Sequence, residues 1–126
     1  MNKIKDLFLE DKKIFDESFI YGRHYIVVGR LLDSLKICWL RKSKNRLKLD
    51  IGNPLYLPLV KDIKIDSYPV GSWIFGVPTQ KRVMGRNCWE WEYVTSFLTE
   101  EEQNLDEKEK VKRIKKKFKN GAVIGF

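Results

Sequence analysis

Lysine and arginine in tight runs are the side chains whose type and spacing point most directly to a chemistry, the holding of anions. From 108 to 119 the chain reads KEKVKRIKKKFK, eight Lys or Arg against the single Glu109, a net +7. The other 114 residues carry 17 basic and 16 acidic side chains, so the overall +8 is a local feature. Charge at this density repels itself and is relieved by an anionic surface. A Lys-rich last turn also complements a helix dipole. Lys110, Lys112, Arg113, Lys116 and Lys117, however, surround their segment on several sides, more than a dipole calls for. A second cluster, Lys36, Arg41, Lys42, Lys44, Arg46 and Lys48, has no acid within it. If 35–51 is a hairpin, Arg41, Lys42, Lys44 and Arg46 crowd its tip, where cations hold phosphates or enter a groove. Cations at a tip also keep an edge strand from aggregating. Lys81, Arg82 and Arg86 form a third, smaller patch.

Aromatic rings set among cations are the other half of single-strand recognition, each base stack contributing roughly 1 to 3 kcal/mol. Trp89, Trp91 and Tyr93 have the strand spacing of such a platform, but Glu90 and Glu92 alternate with them. Two carboxylates place their face in water, which assigns the aromatic face to the core. Trp39, Trp73 and Phe75 lie in apolar surroundings and take the same assignment. Glu90 and Glu92 then meet cross-strand Lys or Arg.

Enzymatic arrangements are sparse. His24 is the sole histidine, so no multi-histidine metal site can form. No Gly-x-Ser-x-Gly elbow accompanies it, and a partly buried, hydrogen-bonded histidine is the expectation. Asp50 closes one expected strand, and Asp62-Ile63-Lys64 opens another. Two carboxylates and a lysine on adjacent strands can bind a divalent ion and steady an attacking water. This order resembles the PD-(D/E)xK nucleases over three positions, with Leu49 where that motif has proline. The resemblance implies a metal-dependent nuclease acting through Asp50, Asp62 and Lys64. No Walker loop, dinucleotide fingerprint, zinc knuckle or RNP motif is present, and no cofactor is expected.

At 126 residues the chain can bury a modest core as one domain. Its 43% hydrophobic and 13% aromatic content excludes a wholly disordered chain. Cys38 and Cys88, fifty residues apart without CxxC spacing, read as buried apolar thiols. Early charges in MNKIKDLFLEDKK interrupt any secretory h-region. No apolar run reaches the roughly 18 to 20 residues of a spanning helix. A reducing, cytoplasmic location without membrane contact is the expectation.

Periodicity supplies the elements that must position these groups. Apolar residues at spacings of three and four predict a helix over 2–19, capped by Asn2 and interrupted only by Asp11. Strands are expected at 25–32, 35–41 and 46–51, an antiparallel meander with turns at Asp33-Ser34 and Ser43-Lys44-Asn45. Further strands are expected at 61–66, at 72–77 with Pro78 as a stop, and at 87–97. Thr99 with Glu102 forms a capping box, and Asp106 offers a second start. Residues 99–105 and 107–119 are therefore two helices or one, ending at Asn120-Gly121.

These readings converge on an α+β fold: an N-terminal helix, about six antiparallel strands in a small barrel or bent sheet, OB-like or SH3-like, and a C-terminal basic helix. Residues 1–98 form the body and 99–126 a basic extension, packed on it or projecting from it. The expected function is non-enzymatic binding of nucleic acid, RNA or DNA. The alternatives are a protein-interaction module docking on an acidic partner, with the tail Ala122-Val-Ile-Gly-Phe126 inserting its apolar residues, and the nuclease.

Overall fold

The computed structural model describes residues 10–44, 46–58, 68–83, 85–119 and 122–123; the side chains of 58, 80–83, 86–88 and 122–123 are left aside. Helix α1 spans Lys12–Tyr21, and Asp11 is its N-cap, its carboxylate accepting from Lys13 N at 2.9 Å and Ile14 N at 3.2 Å. The one polar interruption of the apolar stripe therefore lies at a helix start, because a short carboxylate satisfies end N–H groups that no turn can. The expected start at Asn2 lies outside the described residues.

Strands β1 (Arg23–Arg30), β2 (Ser34–Ser43) and β3 (Arg46–Leu49) form the antiparallel meander. The first turn is not Asp33-Ser34. Ser34 already belongs to β2, Leu31 N donates to Ser34 O at 2.8 Å, and Leu31 and Leu32 stand exposed in the loop. A β-bulge in β1 shifts the register between Val27 and Gly29; consecutive valines 27 and 28 alternate and are both buried, because each face carries a cluster. Strand β4 (Leu55–Pro58) pairs with the start of β2 and was not expected. The expected strand at 61–66 lies outside the described residues.

Strands β5 (Ser72–Val83) and β6 (Arg86–Ser96) form a long hairpin that runs through Pro78. Proline does not stop β5 because β1 pairs with it only as far as Gly76; beyond that β6 is its one neighbour among the described residues, and an edge tolerates a missing donor. The register slips between Pro78 and Arg82. Helices α2 (Glu100–Gln103) and α3 (Glu107–Lys117) are separate. Thr99 and Glu102 make the expected capping box, and Asp106 caps α3. Ala122–Val123 form β7, which pairs with Arg46 and Leu47 of β3. These two tail residues are thus seated on the chain's own sheet.

The sheet order is β6-β5-β1-β2-β3-β7, with β4 beside β2. Among the described residues no ladder joins β6 to β7 or β4. The architecture is an open antiparallel sheet with three helices, α+β as expected but without closure into a barrel.

Alternation divides the side chains between two faces. One face carries Ile26, Cys38, Leu40, Trp73 and Phe75 under Phe15 of α1 and Ile114 of α3. Phe118, just past α3, joins the same cluster. The other face holds a smaller cluster, Val27, Leu35, Ile37 and Ile74, with Tyr25, Leu57, Tyr68 and Trp91 against it. His24 lies on the helix side with no exposed surface. Its Nδ1 accepts from Trp73 Nε1 at 2.8 Å, since an indole N–H only donates. The ring proton is therefore on Nε2, facing Ser18 Oγ at 2.7 Å, and the serine hydroxyl donates to Phe15 O at 2.6 Å. Burial lowers the His24 pKa to about 3, which keeps the ring neutral.

Candidate nucleic-acid interface

The β2–β3 hairpin sorts the second basic cluster by strand parity. Leu40 and Leu47 point into the helix-side core, so Arg41 and its cross-strand partner Lys48 point to the opposite face. Arg46, opposite Ser43, shares that face, and Lys44 turns the loop with a left-handed φ of 56°. Ser43, Lys44, Arg46 and Lys48 line an open cleft of about 390 Å³. Lys42 has the other parity and reaches Asp16 of α1 at 3.1 Å. Lys36 also lies on the helix side, its stem close over Gly29.

Trp39 lies two residues before Arg41 and therefore on the same face. It is 37% exposed rather than buried in the core. The Arg41 guanidinium is 5.4 Å from its ring centroid, and that of Arg23, from the start of β1, is 5.6 Å. Tyr25 is the register partner of Trp39 on one side and of Ile74 on the other, and Ile74 pairs with Tyr93. A row Trp39–Tyr25–Ile74–Tyr93 thus crosses four strands.

Beside this row, Trp91 faces Gly76. Its ring lies flat on the β5 backbone, because a Cβ at Gly76 would stand 2.6 Å from Trp91 Cε3 and Cζ3. Trp91 stacks on Trp89 at 5.9 Å and 22°, and touches Tyr25 at 5.7 Å. Trp89 and Tyr93 are each 39% exposed, against the expectation that they belong to the core, while Trp91 is half-buried against the second cluster, nearer to that expectation. Glu90 and Glu92 are exposed as well, on the other face of the same strand. The argument from their exposure fails because β6 is a sheet edge, and the helices do not reach far enough to cover it. Among the described residues no carboxylate lies within salt-bridge distance of Arg23, Arg41, Lys44 or Lys48.

The remaining cations divide differently. Helix α3 packs on the opposite side of the sheet, so its lysines do not join Trp39. Lys117 donates to Glu102 Oε1 and to Phe97 O, both at 2.6 Å, and Lys112 pairs with Glu109 at 3.3 Å. The Lys117 hydrogen bond, helped by the Thr99 N–H, lowers the Glu102 pKa to about 2. Arg113 and Lys116 are exposed, and Lys110 lies near Arg30 and Glu107. The backbones of Arg82 and Arg86 fall in the β5–β6 hairpin, which turns at the same end of the sheet as the β2–β3 hairpin.

Of the nuclease residues, Asp50 accepts from Asn53 Nδ2 at 3.1 Å within a turn, while Asp62 and Lys64 lie outside the described residues. Among the described residues no group of three His, Cys, Asp or Glu is placed to hold a metal ion, and no helix is long and apolar enough to cross a membrane. Arg23 and Trp39 are the two site residues that sequence reasoning missed. Their parity with Tyr25 and Arg41 was readable, but their adjacency depends on the β1–β2 register. No protein family, curated protein or solved structure matches this chain.

Proposed function

We propose that this chain is a non-enzymatic nucleic-acid-binding protein that holds phosphates along the β2–β3 side of its open sheet face. The supporting observation is the pair of guanidiniums, Arg23 and Arg41, gathered over the ring of the exposed Trp39, with Lys48 across the ladder. Guanidinium groups next to a ring offer phosphate both charge and paired donors. Arg46 and Lys44 extend the positive edge to the hairpin tip. The α3 lysines add field on the far side and raise the encounter rate with a polyanion.

Four contacts, from Arg23, Arg41, Arg46 and Lys48, should give log affinity against log salt a slope of about −3 to −3.5. Titration of labelled oligonucleotides at several salt concentrations measures it. Arg41→Gln with Lys48→Gln should flatten the slope by about 1.5, and Arg113→Gln with Lys116→Gln should change it less. Absence of binding at low salt would remove the proposal.

A second reading, an interaction module for an acidic protein, is favoured by one observation. Leu31 and Leu32 are 50% and 97% exposed beside a groove of about 540 Å³ bordered by Arg30, Lys110 and the single acid Glu107. Capture of an acidic partner that survives Leu31→Ser with Leu32→Ser would place that contact elsewhere.

A further inference from the structure

We infer that the ligand of this face is a single strand, its bases stacked on Trp39 and on the Trp89–Trp91 pair. This deepens the proposed function and rests on it. A duplex shows a protein phosphates and groove edges and keeps the faces of its bases stacked away; only an unpaired strand can lay bases on a flat ring. Three features of the sheet match the unpaired strand. The Trp91 ring is held flat by Gly76, a position where any side chain would lift it. Trp39 is partly open, and the guanidiniums of Arg41 and Arg23 lie over its ring at 5.4 and 5.6 Å, so a base that takes the place of one of them on the ring leaves that arginine to hold the adjoining phosphate. The acids of β6, Glu90 and Glu92, have the opposite parity to the tryptophans and project from the other side of that strand.

The spacing of the platforms fits as well. Trp39 on β2 and Trp91 on β6 are separated by β1 and β5. Three inter-strand steps span about 14 Å, the reach of a few nucleotides. A strand crossing the sheet would pass Trp39, then Tyr25, then the tryptophan pair, with its backbone along Arg23 and Arg41.

The test uses the full chain with a twelve-nucleotide oligo-dT and oligo-rU and with a mixed duplex of equal length, at two salt concentrations. Binding is read by anisotropy and by quenching of tryptophan emission. The expected result is at least tenfold preference for a single strand, with quenching. Trp39→Leu should weaken single-strand binding by roughly 5- to 150-fold and duplex binding by less than twofold. Trp39→Phe, which keeps a π-face, should retain most of the affinity and shows that loss in the leucine variant is not unfolding. Equal affinity for both forms, or equal loss in both with Trp39→Leu, overturns the single-strand inference while phosphate binding stands. Binding of neither form overturns both and leaves a protein as the partner of this face.

Discussion

Acidification below pH 6.5 should destabilise this protein through His24. The buried ring, hydrogen-bonded to Trp73 and Ser18 and stacked 4.1 Å from Phe19, stays neutral down to about pH 3, whereas in the unfolded chain it protonates at its ordinary 6.5. The folded pKa lies below the unfolded one, so the unfolded state binds the extra proton. Stability is then complete above pH 6.5 and falls as pH drops from 6.5 towards 3, by up to 1.4 kcal/mol per unit. Between pH 7.5 and pH 5 the loss amounts to about 2 kcal/mol, a large part of a typical domain's 5 to 15 kcal/mol. Glu102 has a lowered pKa too, but its stabilisation disappears only between its ordinary 4.5 and about 2, below that window. Urea unfolding followed by circular dichroism at pH 7.5, 6 and 5 measures the slope. His24→Gln, whose amide can still accept from Trp73 and donate to Ser18, lacks the titrating group and should lose much less over the same range. An equal loss in parent and variant would refute the reasoning.

Two further substitutions probe the sheet from its two sides. Gly76→Ala places a methyl group against the Trp91 ring and should cost about 1 to 3 kcal/mol of stability by overpacking; it should also weaken single-strand binding, as thermal melts and anisotropy would show. Ile114→Ala, at a side chain with no exposed surface, should destabilise by about 2 to 5 kcal/mol, and a melting temperature unchanged in that variant would mean that α3 is not held to the core.

Strand parity carried most of what was legible. The meander over 25–51, the capping box at Thr99, the start at Asp106 and the hydrogen bonding of His24 follow from local chemistry, and each is present, His24 being more deeply buried than expected. The errors share one cause. Whether an exposed glutamate implies a buried neighbour depends on what covers each face, and that is set by helices distant in sequence. On a central strand, Glu90 in water would have placed Trp89 and Trp91 in the core. On β6, at the end of the strand order, Trp89, Glu90, Glu92 and Tyr93 all reach solvent, while Trp91 is half-buried and Val94 buried. Pro78 was misread for the same reason, since its tolerance follows from where β1 ends. Asp11 was misread more simply: a carboxylate in an apolar stripe is an interruption or a cap, and spacing alone gives both.

The division of charge across the sheet separates two roles that net charge merges. The +7 of residues 108–119 belongs mainly to α3, which packs against the face opposite Trp39. One packed layer is about 10 Å thick, and the Debye length is about 8 Å at physiological ionic strength. Most of the helical charge is therefore screened from a phosphate beside Arg41, while that phosphate lies directly against Arg23, Arg41 and Lys48. In dilute salt the helix field reaches around the molecule and accelerates encounter; in physiological salt the few cations of the aromatic face must supply the bound-state contacts. Under the proposed function, the densest run of lysine in the sequence would govern how often a polyanion arrives, and a sparser set gathered at Trp39 would govern what is kept.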